Sequence, residues 1–239
     1  MFMPNAHHFS VNLPVDNSAS VAVFFENLGF TELYPPLAEN TRLYSDGHLQ
    51  VQLSSAGADW REGIIFCTEQ PIDSLAASLQ LSGVQTVVQD NKIRVVAPDG
   101  TAVYWLSLKD FSFPKQPPSG QTLCGCFYEI SLEVDELEAN KLFWENLGFT
   151  KTMPDGDISN WLTMSHSLLR IGLYEKGSCP HPFRSPALTW FNADASERLE
   201  LLQQKGFTFA HVLPSAADSP EEAILETPEG HHLFLFKAW

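Results

Sequence analysis

The chain has 239 residues, of which 44% are hydrophobic, and a formal net charge of -15. This length allows one large or two ordinary domains, and the hydrophobic fraction is enough for a buried core. The excess of acidic residues argues against nucleic acids and anionic membranes as partners. The sequence shows no signal-peptide pattern and no apolar run long enough to cross a membrane, and its four cysteines form no disulfide framework. We therefore expect a cytoplasmic protein without a membrane or nucleic-acid partner.

The first half of the chain predicts a strand and a helix followed by three strands, and then the same order again. Residues 8–13 alternate strictly between polar and apolar, which is typical of a half-buried strand. In the helix that follows, Val21, Phe25 and Leu28 share one face. The predicted elements are a strand at 8–13, a helix ending at Leu28, a strand or loop at 31–40, strands at 41–44, 48–54 and 63–68, a helix at 71–82, and strands at 86–89, 93–97 and 102–108.

The second half repeats this order. The sequence Glu-Asn-Leu-Gly-Phe occurs at 26–30 and again at 145–149, each time at the end of a predicted helix. Glycine ends a helix readily because it adopts the left-handed conformation without strain. A Pro-Asp-Gly turn at 98–100 corresponds to Pro-Glu-Gly at 228–230. The predicted elements are a strand at 129–134, a helix at 136–147, strands at 161–164, 168–174 and 188–191, a helix at 196–205, and a closing strand at 231–237.

The repeat predicts two domains, at 1–108 and 125–239. Between them, residues 109–124 are rich in proline, which favours an extended and fairly stiff linker. The second copy carries insertions, most plainly at 211–222, where a surface loop tolerates extra residues.

The order and spacing of these motifs resemble the glyoxalase/bleomycin-resistance/extradiol-dioxygenase superfamily, also called the vicinal oxygen chelate superfamily. The resemblance rests on residues 12–15 with 24–30, on the turn at 98–100, and on the return of the motifs in the second half. It implies an α+β fold of two tandem domains, each with two βαβββ modules whose mixed sheet curls into a cup with helices outside. It also implies a divalent metal or a small ligand in the cup. The enzymes of the superfamily hold the metal with His, Glu or Gln, and the metal polarises two adjacent substrate oxygens.

The superfamily's four metal-ligand positions, carried over residue by residue, fall here on two sets of residues, neither of which is expected to hold a divalent ion. They are Ser10, Gln52, Ile64 and Trp105 in the first domain, and Glu129, Gly172, Ala187 and Phe234 in the second domain. A divalent ion needs about three anionic or imidazole ligands from the protein. We therefore predict no metal and no cofactor, with a divalent metal bound by other residues as the alternative.

In the first domain, the alternating strands predict a hydrogen-bonding surface inside the cup. Its members are His8, Ser10, Asn12, His48, Gln50, Gln52 and Ser54, with Trp105 as an aromatic wall. This surface either binds a small ligand or is simply solvated. His8 and His48 together could form an incomplete metal site, and either one could act as a general base because histidine titrates near neutral pH.

In the second domain, charged and aromatic side chains share the cup face. The predicted members are Glu129, Ser131, Arg170, Tyr174, His232, Phe234 and Phe236, with Thr189 and Phe191 from a neighbouring strand. Glu129 and Arg170 form an ion pair, or Arg170 binds an anionic or carbonyl oxygen of a ligand. Glu129 and His232 are the catalytic candidates, because a carboxyl group buried away from Arg170 becomes more basic.

The remaining histidines of the second half are expected to lie outside the cup. His231 points to the opposite face from His232, because neighbouring residues of a strand alternate between faces. His166, His181 and His211 are expected in solvated turns or loops.

Three classes of function fit these patterns. The one that we favour is a protein that binds a small organic molecule in its cups without the usual metal centre. The second is a metal-dependent lyase or isomerase of the glyoxalase type, or an extradiol-type dioxygenase. The third is a structural or regulatory protein that has lost the chemistry. The tandem halves allow either a monomer or a homodimer.

Overall fold

The computed structural model describes residues 6–55, 60–107, 115–153, 160–166, 169–215 and 220–238. These residues form two eight-stranded sheets and four helices. Within these ranges, no helix is both long enough and apolar enough to span a membrane.

The first sheet and its two helices come from the first half of the chain. Each of its two modules runs strand, helix and three strands. The elements are β1 Ala6–Val15, α1 Ser18–Asn27, β2 Thr31–Leu33, β3 Thr41–Ser45, β4 Gln50–Ser55, β5 Gly63–Thr68, α2 Ile72–Leu81, β6 Val87–Gln89, β7 Lys92–Val96 and β8 Ala102–Ser107.

The second sheet repeats this order in the second half of the chain. Its elements are β9 Phe127–Val134, α3 Leu137–Asn146, β10 Thr150–Met153, β11 Trp161–His166, β12 Leu169–Glu175, β13 Ala187–Asn192, α4 Ala195–Gln204, β14 His211–Val212, β15 Ala223–Glu226 and β16 His232–Lys237.

Both sheets have the same mixed topology. The strand orders are β2-β3-β4-β1-β5-β8-β7-β6 and β10-β11-β12-β9-β13-β16-β15-β14. In each module the first strand pairs in parallel with the last, and the two modules of a domain join through the antiparallel pairs β1–β5 and β9–β13. The α+β fold of four βαβββ modules in two domains is therefore confirmed.

The repeated Leu-Gly-Phe sequence ends the first helix of each domain. Gly29 has a φ of +93° and Gly148 a φ of +92°, which is the left-handed region that glycine adopts without strain. The amide of the following phenylalanine then donates to a carbonyl of the last helical turn, from Phe30 to Phe25 and from Phe149 to Trp144, at 3.0 Å in both cases. The glycine thus turns the chain so that the phenylalanine ring packs beside the last turn of its own helix, on Phe25 or Trp144, and still reaches the other domain.

These two phenylalanines join the domains. The ring of Phe30 meets Trp190 of the second domain edge to face at 6.5 Å, and the ring of Phe149 meets Phe66 of the first domain at 6.3 Å. Phe66 and Trp190 occupy equivalent positions on β5 and β13. The contact is therefore made twice, in a pseudo-symmetric arrangement. The inner faces of both sheets consequently belong to one continuous hydrophobic core.

The second repeated motif also lies between the domains. In the Pro-Asp-Gly turn, the backbone amide of Asp99 donates to Asn140 of α3 at 3.3 Å. In the matching turn of the second domain, the carboxylate of Glu229 accepts from the amide of Asn17, the N-cap of α1, at 2.8 Å. Each turn therefore docks on the first helix of the opposite domain.

The described part of the linker packs tightly between the two sheets. The Leu123 amide donates to the carbonyl of Leu28 at 2.9 Å, and Ser45 donates to Gln116 at 2.7 Å. A Cβ added at Gly47 would lie 2.5 Å from the Ser119 nitrogen, so only glycine fits there. Residues 115–126 are thus part of the folded structure.

Truncation of Phe149 tests the shared core. Phe149 is 1% exposed and bridges Trp144 and Phe66. We expect Phe149→Ala to lower the free energy of unfolding by about 3–5 kcal/mol, through lost burial and the cavity left behind. Leu81→Ala, at a site that is 90% exposed, is the control and should change it by about 0.5 kcal/mol or less.

Calorimetry is the measurement for both variants. A shared core requires that the two domains unfold together in a single heat-absorption peak. Two separate peaks in Phe149→Ala, with one at the wild-type temperature, would contradict this view of the core.

Candidate functional site

Strand alternation leaves one face of each sheet for a cup. The other face packs into the shared core, as Ile130 and Leu132 of β9 do. Glu129 and Ser131 alternate with these two residues along β9 and therefore lie on the cup face. The same pattern holds on β1, so each strand residue predicted from the sequence lies either on the cup face or on the core face.

The cup of the first domain is a closed, polar interior. Ser10, Asn12, Gln50 and Gln52 lie on its face as predicted, but each is at most 3% exposed. The amide of Asn12 donates to Ser54 at 3.1 Å, and that of Gln52 donates to the Asn12 oxygen at 2.8 Å. Asn12, Gln52 and Ser54 therefore bind one another, whereas the Ser10 hydroxyl and the Gln50 side-chain oxygen have no hydrogen-bond partner among the described residues. The burial of these side chains contradicts the solvated alternative, and binding of a ligand by them stays a prediction.

Residues 60 and 61 close this cup. The ring of Trp60 packs on Tyr104 at 4.8 Å, and the ammonium of Lys92 covers Trp60 at 4.7 Å. The Arg61 amide donates to the Tyr104 hydroxyl at 2.7 Å, while the Arg61 carbonyl accepts from Asn12 at 2.9 Å. Apolar side chains such as Ile65 fill the space beneath.

His48 does not lie in the cup, contrary to the prediction. Asp46 accepts from the backbone amides of His48 at 2.8 Å and Leu49 at 2.6 Å, and this turn delays the start of β4 until Gln50. The His48 ring lies instead between the domains, 6.1 Å from Phe9 and 6.0 Å from Phe127. His8 is half-buried on the same strand face as Ser10.

Trp105 and Ile64 also face the core, so both assignments to the cup are wrong by one residue. Trp105 stacks on Phe66 at 5.7 Å, within the shared core. The residue of β8 that matches Phe234 is Tyr104, because Tyr104 pairs with Ile65 as Phe234 pairs with Thr189. An odd shift moves a strand residue to the opposite face, which explains both errors.

The cup of the second domain holds a cavity of about 320 Å³. Such a volume suits a small organic molecule. Hydroxyl groups of Ser131 and Thr189 form part of the wall, and Glu222 also lines the cavity. The rest of the lining is mostly aromatic and includes Trp161, Tyr174, Phe183, Phe191, Phe234 and Phe236.

A buried hydrogen-bond network lies at the polar end of this cavity. The carboxylate of Glu129 accepts from the Tyr174 hydroxyl at 2.7 Å and from the Ser131 hydroxyl at 3.1 Å. The Ser131 oxygen is also 2.7 Å from the Thr189 hydroxyl. Glu129 is 1% exposed and does not line the cavity, whereas its two partners, Tyr174 and Ser131, and the Ser131 partner Thr189 do.

Gly172 makes room for the Glu129 carboxylate. A Cβ added at Gly172 would lie 2.3 Å from the Glu129 Oε1 atom and 2.5 Å from the Tyr174 ring. No real side chain tolerates these distances. The absence of a side chain at Gly172 therefore lets Glu129 fold over the neighbouring strand and meet Tyr174.

Burial dominates the electrostatics of Glu129. Desolvation raises the pKa of its carboxyl group, against the hydrogen bonds from Tyr174 and Ser131 and the charge of Arg170, which lower it. The pKa of Tyr174 is raised as well, first by burial and then by the neighbouring carboxylate. The predicted ion pair with Arg170 is replaced, because the guanidinium of Arg170 lies over the Tyr128 ring at 4.1 Å.

His232 faces the cup side of β16 but lies outside the cavity lining. Its Nδ1 atom accepts from the backbone amide of Arg184 at 3.1 Å, and burial lowers the pKa of its imidazole. The ring is 8% exposed. His232 therefore acts as a buried, neutral acceptor that holds the preceding loop. His231 lies on the other side, as predicted, where its Nδ1 atom meets Glu62 of the first domain at 2.8 Å.

The prediction for the three loop histidines is corrected in two cases. His181 lines the cavity, where its ring packs against Phe234 at 4.8 Å. His166 belongs to β11 and packs on Phe149 at 5.5 Å, and burial lowers the pKa of its imidazole. His211 is exposed, as expected, although it lies in the short strand β14.

The remaining cavity residues were not predicted from the sequence. Most come from the segment between β12 and β13 and from the region around β14, where the second domain has its insertions. The sequence offers no periodic signal for them, because Cys179, Pro180, His181 and Phe183 lie in a loop. The residues are Trp161, Cys179, Pro180, His181, Phe183, Leu213 and Glu222.

The residues at the superfamily's metal positions do not fit a metal. In the first domain, corrected for register, Tyr104 replaces Trp105 beside Ser10 and Gln52, and all are buried in the closed cup. In the second domain, Glu129 is the single carboxylate, and it is already bound by Tyr174 and Ser131. Nowhere in the described ranges do three or more His, Cys, Asp or Glu side chains gather as a metal would require.

Comparison with known proteins gives a match in structure but not in sequence. No protein-family model and no curated protein matches the chain. The 2,3-dioxygenase LapB from Pseudomonas sp. KL28 matches with a TM-score of 0.64 and 15% identity, over 99% of this chain and 94% of that chain. A catechol 2,3-dioxygenase matches with a TM-score of 0.61 and 16% identity, over 96% and 86%. A mutant of 4-hydroxymandelate synthase from Streptomyces coelicolor matches with a TM-score of 0.63 and 12% identity, over 95% and 91%.

At these identities the likeness concerns the fold. The chain has the two-domain fold of the vicinal oxygen chelate superfamily, in the arrangement found in extradiol dioxygenases. The resemblance carried by the repeated motifs is thereby confirmed at the level of the fold.

The fit between Gly172 and Glu129 can be tested with a double-mutant cycle. We expect Gly172→Ala to lower the free energy of unfolding by about 1–3 kcal/mol, because its methyl group meets the Glu129 carboxylate. In a Glu129→Ala background the same change should lower the free energy of unfolding by less, because the clash with Glu129 is gone and only the clash with the Tyr174 ring remains. Urea unfolding of the four proteins gives the coupling energy. Additive costs would show that Glu129 does not occupy this space.

The buried Glu129 also predicts a pH dependence. The folded chain holds the Glu129 proton to higher pH than the unfolded chain, whose carboxyl group has the ordinary pKa of 4.5. Between that value and the folded-state pKa, the folded state binds more protons than the unfolded state. The contribution of Glu129 therefore lowers the free energy of unfolding progressively as the pH rises through this range. Glu129→Gln should therefore gain melting temperature relative to the wild type as the pH is raised.

Calorimetry from about pH 4 to about pH 8 measures this difference. Glu138→Gln on α3, where the carboxylate side chain is 73% exposed, is the control for the loss of one charge. A Glu129→Gln difference that stays constant, or declines as the pH rises, would contradict the assignment.

Proposed function

We propose that this protein binds a small organic molecule with a flat, apolar body in the cavity of the second domain, without a metal. The observation that carries the proposal is the cavity itself, an aromatic enclosure of about 320 Å³ with hydroxyl groups at one end. Small-molecule sites commonly combine apolar walls with a few polar groups that fix orientation. Two of the similar structures have aromatic compounds in their names, catechol and homoprotocatechuate.

Metal-dependent chemistry is the less favoured alternative. A lyase, isomerase or dioxygenase of the superfamily's type would need ligands where this chain has Gly172, Ala187 and Phe234. Glu129 remains the catalytic candidate, and we assign it a positioning role, because it reaches the cavity only through Tyr174 and Ser131. His232 supports the loop that precedes β13 through its bond to the Arg184 amide.

The first domain then has a structural role. Its cup is filled by its own side chains, and its core face supports the second domain through Phe66 and Phe30. Because both domains lie in one chain, a single copy contains the whole proposed site, whether the protein is a monomer or a homodimer. All four cysteines are free, which supports a reducing compartment such as the cytoplasm.

Binding of a neutral aromatic probe tests this proposal. 2-Phenylethanol should raise the melting temperature with increasing concentration, because a ligand that binds only the folded state stabilises it by mass action. Phe236→Ala removes a ring that stacks on Phe234 at 5.2 Å and should weaken binding by about three- to tenfold.

Leu106→Ala is the matched control, because Leu106 packs beneath the closed cup of the first domain on the strand that corresponds to β16. It should leave the affinity unchanged after correction for stability. If no aromatic probe shifts the melting temperature, or if Leu106→Ala alone abolishes the shift, the second-domain cavity is not the site.

A further inference from the structure

The hydrogen-bond directions at the polar end of the cavity restrict the chemistry of the ligand. Ser131 has one hydroxyl proton, and it donates this proton to Glu129. The contact between Ser131 and Thr189 therefore has Thr189 as the donor. Tyr174 likewise donates its proton to Glu129. Both bonds end on the Glu129 Oε1 atom, so all three hydroxyl protons of this end are directed inward whether or not the Oε2 atom carries a proton.

The cavity consequently meets the lone pairs of these hydroxyl groups. Ser131, Thr189 and Tyr174 all line it, and their oxygens remain able to accept. A ligand group that only accepts hydrogen bonds, such as a carboxylate, would face these oxygens without a donor. A polar group buried without a partner is costly, and a buried charge without a partner costs more.

His181 adds another acceptor. Its Nδ1 atom lies 3.0 Å from the Pro182 carbonyl, which can only accept, so Nδ1 carries the proton. With a single proton on the ring, the Nε2 atom then keeps its lone pair. Among the side chains of the described lining residues, the donors that remain are the thiol of Cys179, which is weak, and the indole N–H of Trp161.

The lining also carries negative charge without a neutralising cation. Glu222 lines the cavity, and no hydrogen bond or ion pair joins its carboxylate to another described residue. Three cations on surrounding elements are engaged elsewhere: Arg170 over Tyr128, Arg184 with the Glu229 carbonyl, and Lys237 with Glu221.

The aromatic walls favour a cation as well. Phe234 and Phe236 stack with an interplanar angle of 11°, and Phe183 meets Phe234 edge to face at 5.0 Å. The faces of aromatic rings attract ammonium groups within about 6 Å of their centres. Lone pairs, a carboxylate and aromatic faces thus line the same enclosure.

We propose that the ligand of this cavity is an organic ammonium compound, with an aromatic or other apolar body and an amine head group. The inference rests on the proposed function and narrows it to one chemical class. The amine donates to the lone pairs of Thr189 and Ser131, and Glu222 balances its charge. The apolar body lies against the phenylalanine rings.

Three probes with one phenyl ring and different head groups test the proposal by titration calorimetry on the full chain. They are 2-phenylethylamine, 2-phenylethanol and phenylacetate. We expect the amine to bind about tenfold more tightly than the alcohol, and phenylacetate to bind more weakly than both. Equal affinities, or tightest binding by phenylacetate, would overturn the inference while leaving the proposed function standing. Binding of none of the three would remove the proposed function itself.

Two variants test which side chains cause the expected preference for an amine. Glu222→Gln should reduce the ratio of amine to alcohol affinity by about threefold to tenfold, because it removes the charge and keeps the shape of the side chain. Thr189→Val, which removes one acceptor at nearly constant volume, should weaken the amine more than it weakens phenylacetate. Glu221→Gln is the control, because this neighbouring carboxylate is paired with Lys237 outside the cavity lining. A change of ratio in Glu221→Gln equal to that in Glu222→Gln would show a general charge effect and would overturn the inference.

Discussion

The exchange of aromatic rings between the two domains determines how the rest of the molecule can be arranged. A glycine in the left-handed conformation ends the first helix of each domain and directs the next phenylalanine onto the central strand of the other domain. Phe30 and Phe149 thereby commit one face of each sheet to a common core. Only the opposite faces remain for chemistry, and this explains why every candidate site lies in a cup.

The two cups nevertheless differ in structure. In the first, Trp60 and Tyr104 close the opening, and amide side chains such as Asn12 bond to one another. In the second, the corresponding space stays open, and its polar end is organised by a single buried carboxylate, Glu129. That carboxylate fits because Gly172 has no side chain. The difference between a packed interior and a cavity thus depends both on substitutions within the strands and on the inserted segments that line the second cup.

Much of the fold could be predicted because its signals are local. Strand alternation and helix-ending glycines depend on neighbouring residues, and they identified all four modules. The faces were harder to predict. His48 was misplaced because Asp46 forms a turn that delays β4, and Trp105 because the closing strand was aligned one residue out of register. His181 reaches the cavity from a loop, where no periodic pattern exists to indicate its direction.

The shared core has a consequence for how such a repeat can diverge. After an internal duplication, selection acts on each domain in two ways: on its own pocket and on the surface that packs against the other domain. Here the second demand is met by the inner faces, through Phe66 and Trp190, and does not involve the cups. One copy could therefore lose its pocket without weakening the other. The filled first cup is the expected result of this division of labour, in which one half provides stability and the other keeps the freedom to change its ligand.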